Sequence, residues 1–294
     1  MERAKGILYA ALSSSTFGLA PLFTLLLLGL GYSSFEVLSY RWGVASVFLC
    51  ALALLAGRSF RLSWPELRTV FFLSLFRAAT SLSLVIASQH IASGVASTIH
   101  FMYPLAVALA MMCFFREKGS VWVFAAIGMS IVGAVLLSLG NVDFTRGNTT
   151  LGMVSAAVSV VSYGGYIVGV RKSRAVGIDS TVLTCYVMGL GALYFIAGGL
   201  VTGGIRIETD GTAWLCILGV ALPATAVSNM TLVQAIKRIG PTLTSVFGAL
   251  EPLTAVVIGV AVFGEPFTTQ GAAGILLIVA AVTIVILHSG RRKA

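Results

Sequence analysis

Four ionisable side chains fall deep inside apolar stretches of the sequence: Arg41, Arg77, His100 and Glu251. A charge in such a stretch is costly, so it marks either an internal partner or contact with a polar cargo. Glu36 is a fifth, but it lies close to the end of its stretch, where it can reach water. Arg77 and Glu251 are the informative pair. Each sits about ten residues from the same-side end of its helix, roughly 15 Å at 1.5 Å per residue, which sets both near mid-membrane. Opposite charges at one depth suit a zwitterion, with Arg77 drawing a carboxylate and Glu251 an amino group or a proton. The alternative is that they pair with each other, or with neutral polar neighbours.

Other polar groups share these faces. Ala96, His100 and Tyr103 recur at helical spacing, as do Thr244, Gly248 and Glu251, so each trio lines one helix face. His100 there is either hydrogen-bonded structure or a proton relay. Tyr163 and Tyr166 would give an aromatic wall with a polar tip. Their neighbours Gly165 and Gly169 form a GxxxG, which fits close helix packing. Thr16, at the end of Ser13-Ser14-Ser15-Thr16, and Asn229 complete the set. The candidate cavity-lining or substrate-binding residues are therefore Thr16, Arg77, His100, Tyr103, Tyr163, Tyr166, Asn229 and Glu251. No metal site is expected: Cys50, Cys113, Cys185 and Cys216 match no zinc spacing, and thiols scattered along such helices are expected to stay unpaired.

The elements that must position these residues are membrane helices. The 294 residues are 58% hydrophobic and 10% charged, against about 25% charged in a soluble domain. A crossing helix needs roughly 20 apolar residues. Ten such spans can be drawn: 6–29, 34–56, 66–88, 92–115, 119–139, 149–170, 180–202, 212–235, 241–263 and 268–288. The first is read as a retained helix rather than a cleaved signal, because no small-residue cleavage site follows it. With the N-terminus inside, Arg3/Lys5, Arg58/Arg61/Arg68, Arg116/Lys118, Arg171/Lys172/Arg174, Lys237/Arg238 and Arg291/Arg292/Lys293 all fall on one side. Only Arg146 and Arg206 fall on the other. That asymmetry orients both termini to the cytoplasm. It also accounts for the +9 net charge without nucleic acid.

The chain also repeats itself. Shifting the first half by 146 lays Gly6, Ala10, Ser13, Phe17 and Gly18 on Gly152, Ala156, Ser159, Tyr163 and Gly164, and Gly43 on Gly189. A shift of 148 lays Ser97, His100, Tyr103, Pro104 and Glu117 on Ser245, Gly248, Glu251, Pro252 and Glu265. The division is 1–143 and 144–294. Five helices per half is an odd number, so the halves insert with opposite orientations, an arrangement that places a transport site near the midplane between them. The expected fold class is thus an all-α membrane protein, ten transmembrane helices as two inverted five-helix repeats. Pro21, Pro104, Pro223 and Pro252 interrupt helices. The repeat mates Pro104 and Pro252 are the expected bend points. Glu117 reads as a surface salt bridge between Arg116 and Lys118, while Glu265, with no basic neighbour in sequence, is open to a gating role.

Two five-helix repeats, Arg41 within the second helix, and the Pro104/Glu117 and Pro252/Glu265 pairs resemble the drug/metabolite transporter superfamily. The likeness is to its ten-helix EamA-type exporters and nearest to the amino-acid exporter branch. It extends over essentially the whole chain. Phe17-Gly18 stands where many relatives carry Trp, and Val187 occupies the repeat position of Arg41. The resemblance implies export of amino acids or similar metabolites from a bacterial inner membrane. It also implies a cavity lined mainly by helices 1, 3, 4, 6, 8 and 9. The expected partners are a small-molecule substrate and the bilayer, with protons as the candidate coupling ion and a monomer or weak dimer as the assembly. Drugs, nucleosides or sugar phosphates are the alternative cargo. Sugar phosphates are disfavoured because only Arg41 and Arg77 lie within spans. No GxxxxGK[ST], HExxH or GxSxG occurs. No enzyme activity and no cofactor are expected.

Overall fold

In a computed structural model of the protein the backbone is described over residues 2–91, 93–138, 147–263 and 268–290. Arg146, the 143/144 repeat boundary, Glu265 and the basic Arg291, Arg292 and Lys293 lie outside the described residues. The described chain is helical, without strands. The first span is made of α1 (Glu2–Phe17) and α2 (Ala20–Gly29); the second is α3 (Ser34–Leu55) and the third α4 (Trp64–His90). The fourth is α5 (Ser93–His100) and α6 (Tyr103–Phe115), and the fifth is α7 (Val121–Ser138). Then come α8 (Thr149–Lys172) and α9 (Ser180–Thr202). The eighth span joins α10 (Gly211–Ala221) through a π-helical turn, Leu222–Val227, to α11 (Ser228–Ile239). The ninth joins α12 (Pro241–Val246) through a 3-10 turn, Phe247–Ala249, to α13 (Leu250–Phe263), and α14 (Thr269–Gly290) is the tenth.

Among the described residues eight of these helical stretches are long and apolar enough to cross a bilayer, and Val121–Leu136 is a shorter apolar helix. Their outer surface is apolar: Val47, Phe114, Leu193 and Val201 are each more than half exposed. A monomer in water does not carry so much contiguous apolar surface. The chain is therefore a multi-pass membrane protein of the expected class.

Four spans are interrupted, at the four prolines that the sequence singles out. Pro lacks the N–H that an interior helix position must donate, and its ring crowds the preceding turn. The first and fourth spans stop and restart with Pro21 and Pro104 in the opening turn of the second piece. Pro223 sits in the π turn, and Pro252 in the first turn of α13. The breaks before the mates Pro104 and Pro252 fall at equivalent places, so the interruption is built into the repeat.

Packing follows the same symmetry. The closest helix pairs are α3 with α9, α7 with α14, α4 with α8, and α1 with α11. The first two join a helix to its own repeat mate; the last two are mates of each other as pairs. The two halves are thus interleaved rather than side by side. Glycine permits the closest approach: a Cβ on Gly191 of α9 would lie 2.1 Å from the Trp42 ring on α3. Trp42 is fully buried and meets Phe195 edge-on at 5.2 Å. Gly165 and Gly169 face Phe76 and Leu73 of α4, so this GxxxG serves packing.

At the membrane face opposite the basic loops, the segment between α9 and α10 is strapped to the start of α3. Glu36 accepts from the Arg206 backbone N–H at 3.1 Å and from its Nε at 3.2 Å. It is nearly buried, which corrects the expectation that it reaches water. Its side chain also caps its own helix at Ser33. The Tyr40 hydroxyl donates to the Arg206 carbonyl at 2.5 Å and accepts from the Glu208 N–H at 3.0 Å. Tyr32 donates to the Glu208 carboxylate, and the Arg206 guanidinium lies 3.8 Å over the Tyr32 ring.

Two outcomes are expected from this packing. Gly191→Ala should cost about 1–3 kcal/mol through overpacking and lower the thermal unfolding midpoint in detergent; an unchanged midpoint would mean that α9 and α3 are not held this closely. The hydrogen bond from Tyr32 holds the Glu208 carboxyl below the usual carboxylate range. A lowered folded pKa stabilises above the ordinary value and is lost as pH falls through the folded one. The difference in unfolding midpoint between the wild type and Glu208→Gln should therefore be present at pH 7 and vanish in strong acid. A difference that persists in acid would show that the charge of Glu208 does not hold the strap.

Candidate functional site

The interruption of the fourth span leaves His100 as the last residue of α5 and Tyr103 as the first of α6. The interruption of the ninth places Glu251 in the first turn of α13, directly after the 3-10 turn. The Tyr103 hydroxyl donates to Glu251 Oε1 at 3.4 Å. Gly248 makes this approach possible, since a Cβ there would lie 1.6 Å from the Tyr103 oxygen.

Around this pair the aromatic residues form one continuous layer. Tyr103 meets Tyr163 of α8 at 4.6 Å between ring centroids. His100 lies 5.3 Å from each of them. Phe17, the last residue of α1, stacks on Tyr163 at 6.4 Å with the rings 15° apart. Phe17 and Tyr163 are repeat mates, and so are Tyr103 and Glu251. In a two-fold arrangement a residue can touch its own mate only near the axis. The axis relating the halves therefore runs through this layer.

The charged and polar side chains hold one another in a definite order. Arg77 of α4 donates from Nε to Asn229 Oδ1 on α11 at 2.8 Å, and from Nη1 to Ser81 at 3.3 Å. Asn229 Nδ2 donates to the Thr225 carbonyl at 2.8 Å, which fixes the direction of its amide. The Arg77 guanidinium lies 5.1–5.9 Å from the ring centres of Tyr163, Phe17 and Trp42, within cation–π range. Among the described residues Arg77 and Glu251 make no direct ion pair. Ser159 donates to the Ala156 carbonyl at 2.6 Å, so its oxygen accepts from His100 Nδ1 at 2.8 Å. That assigns the imidazole proton to Nδ1 and leaves Nε2 as an acceptor, with no partner among the described residues. The buried Tyr166 hydroxyl has none either.

Six of the sequence candidates thus come together: Arg77, His100, Tyr103, Tyr163, Asn229 and Glu251. Tyr166 lies a turn further along α8. Thr16 does not join them. Its hydroxyl donates back to the carbonyls of Leu12 and Ser13 at 2.7 and 3.1 Å, and it is Phe17 that α1 contributes. Ser13 serves α1–α11 packing, exchanging hydrogen bonds with Ser228 at 2.8 and 3.0 Å. In sequence Phe17 is marked as the repeat mate of Tyr163 and not as a site residue, and Trp42 gives no signal, because an aromatic residue in an apolar run is ordinary. Spans 1, 3, 4, 6, 8 and 9 converge as the resemblance implied, joined by the second through Arg41 and Trp42.

Side chains fill this space rather than line an open one. Arg77, Tyr103, Tyr163 and Tyr166 are each at most 2% exposed. Two cavities lie elsewhere. One of about 200 Å³ opens at the basic face between Met111, Glu117, Lys118, Trp122 and Leu243. The other, about 660 Å³ and almost wholly apolar, runs along α3, α9 and α10 past Phe48, Leu200 and Trp214. Side chains thus close this layer, and ties between spans lie at both faces.

The chain is similar to the "Uncharacterized transporter YojE" of Bacillus subtilis (strain 168), 27% identical over 287 residues, covering 92% of this chain and 90% of that protein. It is 24% identical over 217 residues to an "Uncharacterized transporter" of Archaeoglobus fulgidus, covering 74% of this chain and 76% of the other. A solved crystal structure shares the fold with a TM-score of 0.79 and 19% identity, covering 100% of this chain and 99% of its own. The EamA-like transporter family matches residues 4–139 and again 150–287. A doubled match of this kind, on a membrane protein whose halves interleave about an axis through a buried polar layer, establishes that the chain belongs to the EamA-like transporter family.

Proposed function

We propose that this transporter exports amino acids from the cytoplasm across a bacterial inner membrane by alternating access, with one repeat at 1–143 and the other at 144–294. The observation that carries the reading is that Arg77 and Glu251 occupy one aromatic layer without pairing to each other. Buried opposite charges held by neutral partners and not by each other remain expensive. A zwitterionic cargo lowers the cost for both, its carboxylate on the guanidinium side of the layer and its ammonium toward Glu251. Tyr103, Tyr163, Tyr166 and His100 then supply an aromatic wall with hydrogen-bonding tips for the side chain. Pro104 and Pro252 are the bend points, since each frees the helix to pivot beside this layer. His100 Nε2 and Glu251 are the groups through which a proton would couple. Nothing in this scheme requires more than one copy of the chain.

Flux of labelled aromatic, aliphatic, polar and charged amino acids into proteoliposomes, with and without a pH gradient, tests the reading. Saturable flux should fall by about tenfold or more in folded Glu251→Gln, as expected for losing a charged hydrogen bond. It should fall in Pro104→Ala and Pro252→Ala with little change in affinity. Folded protein that moves no amino acid would sink the proposal. The side bias of the basic loops supports cytoplasmic termini. A C-terminal reporter active only there should be active in cells; one active only outside would overturn this orientation.

A further inference from the structure

Arg41 sits within the second span, on α3, and is 5% exposed. Its Nε donates to Thr225 Oγ1 at 2.6 Å. Thr225 lies in the π turn created by Pro223, and its own proton goes to the Val220 carbonyl at 2.7 Å. The guanidinium is therefore aimed, not free to swing. Its Nη2 is buried and has no hydrogen-bond partner. Among the described residues no carboxylate lies within ion-pair distance of it. An orphaned cationic donor at this depth is the most expensive kind of unsatisfied group.

The surroundings make the deficit specific. Arg41 and Arg77 both face the Phe17 ring, 5.7 and 5.3 Å from its centre. Two guanidinium groups thus share one small buried space, and Glu251 offsets only one of them. Arg77 already has two side-chain acceptors and three aromatic faces. Arg41 has one acceptor and one face. The repeat supplies no counterpart, because Val187 stands at the equivalent position. The charge excess is local to Arg41, and the donor left open is its own.

We infer that Arg41 is the direct ligand of an acid group on the cargo, with Arg77 acting as a fixed neighbouring charge that the Asn229–Ser81 pair and the aromatic faces hold in place. The acid group is a carboxylate seated beside Phe17, accepting from Nη2 while Thr225 holds Nε. A planar, pre-aimed guanidinium suits a carboxylate better than an ammonium would. The inference rests on the transport reading for its location, but not on the cargo being an amino acid.

The test uses the purified full-length protein in chloride-free buffer, with thermal stabilisation as the readout of binding. The probes are propionate, 3-phenylpropionate, the amides of both, chloride and inorganic phosphate. At least one carboxylate should stabilise saturably, its amide should not, and chloride and phosphate should be weaker. In Arg41→Gln the carboxylate affinity should drop by about tenfold or more. Thr225→Val, which keeps the charge and removes only the group that aims it, should weaken binding by a smaller factor. If Arg41→Gln does not fold, Thr225→Val and the acid–amide comparison in the wild type still decide. Equal stabilisation by acid and amide would overturn the inference, as would unchanged carboxylate affinity in either folded variant. Chloride or phosphate binding as tightly as the carboxylates would overturn the assignment to a cargo acid. Absent amino-acid flux beside Arg41-dependent carboxylate binding would remove the amino-acid reading and leave this one standing.

Discussion

Arg77 is the contact on which much of the interior turns. A guanidinium at this depth has no water to solvate it, so the protein must replace the hydration shell. It does so with Asn229, Ser81 and the faces of Phe17, Trp42 and Tyr163. These groups come from five different spans, and only one of them lies on the helix of Arg77. Holding one charge therefore draws the first, second, sixth and eighth spans against the third. The glycines that admit such close approach, Gly191 against Trp42 and Gly165 against Phe76, follow from the same requirement. Without small residues at those crossings the rings could not reach the charge.

The second theme is symmetry and its breaking. The halves share the broken helices that present Tyr103 and Glu251, and these mates meet on the axis. Elsewhere the mates differ. The first span is broken at Phe17, whereas its mate α8 runs straight through Tyr163. The eighth span carries a π turn at Pro223, whereas its mate α4 is continuous. A strict two-fold would place identical groups on both sides of the cargo. The departures leave the buried layer asymmetric, with one carboxylate, Glu251, and two guanidinium groups, Arg41 and Arg77.

The closed state also has a physical basis. One face is tied by Glu36, Tyr40, Tyr32 and Glu208 to the segment carrying Arg206, all of them from loops or helix starts. The opposite face has a cavity between Glu117, Lys118 and Trp122 and ties of its own: Lys237 donates to the Ile178 carbonyl, Arg171 to the Lys237 carbonyl at 2.8 Å, and Arg238 to Glu2 at 3.1 Å.

Much of this was legible before any coordinates. Apolar run length and the offset between halves determine the spans and the repeat, because a bilayer imposes those rules on any sequence. Intramembrane Arg77, His100 and Glu251 stood out for the same reason: charge in an apolar run is rare. Other features depended on which helices meet. The sequence could not tell whether Arg77 pairs with Glu251 or with Asn229, because that depends on distances between α4, α11 and α13. It could not mark Phe17 or Trp42 as site residues, or show that Thr16 turns back on its own helix. Nor could it show that Arg41 keeps an unpartnered donor while Arg77 does not. Those distinctions rest on side-chain direction and on contacts between residues far apart in the chain, which only the tertiary packing decides.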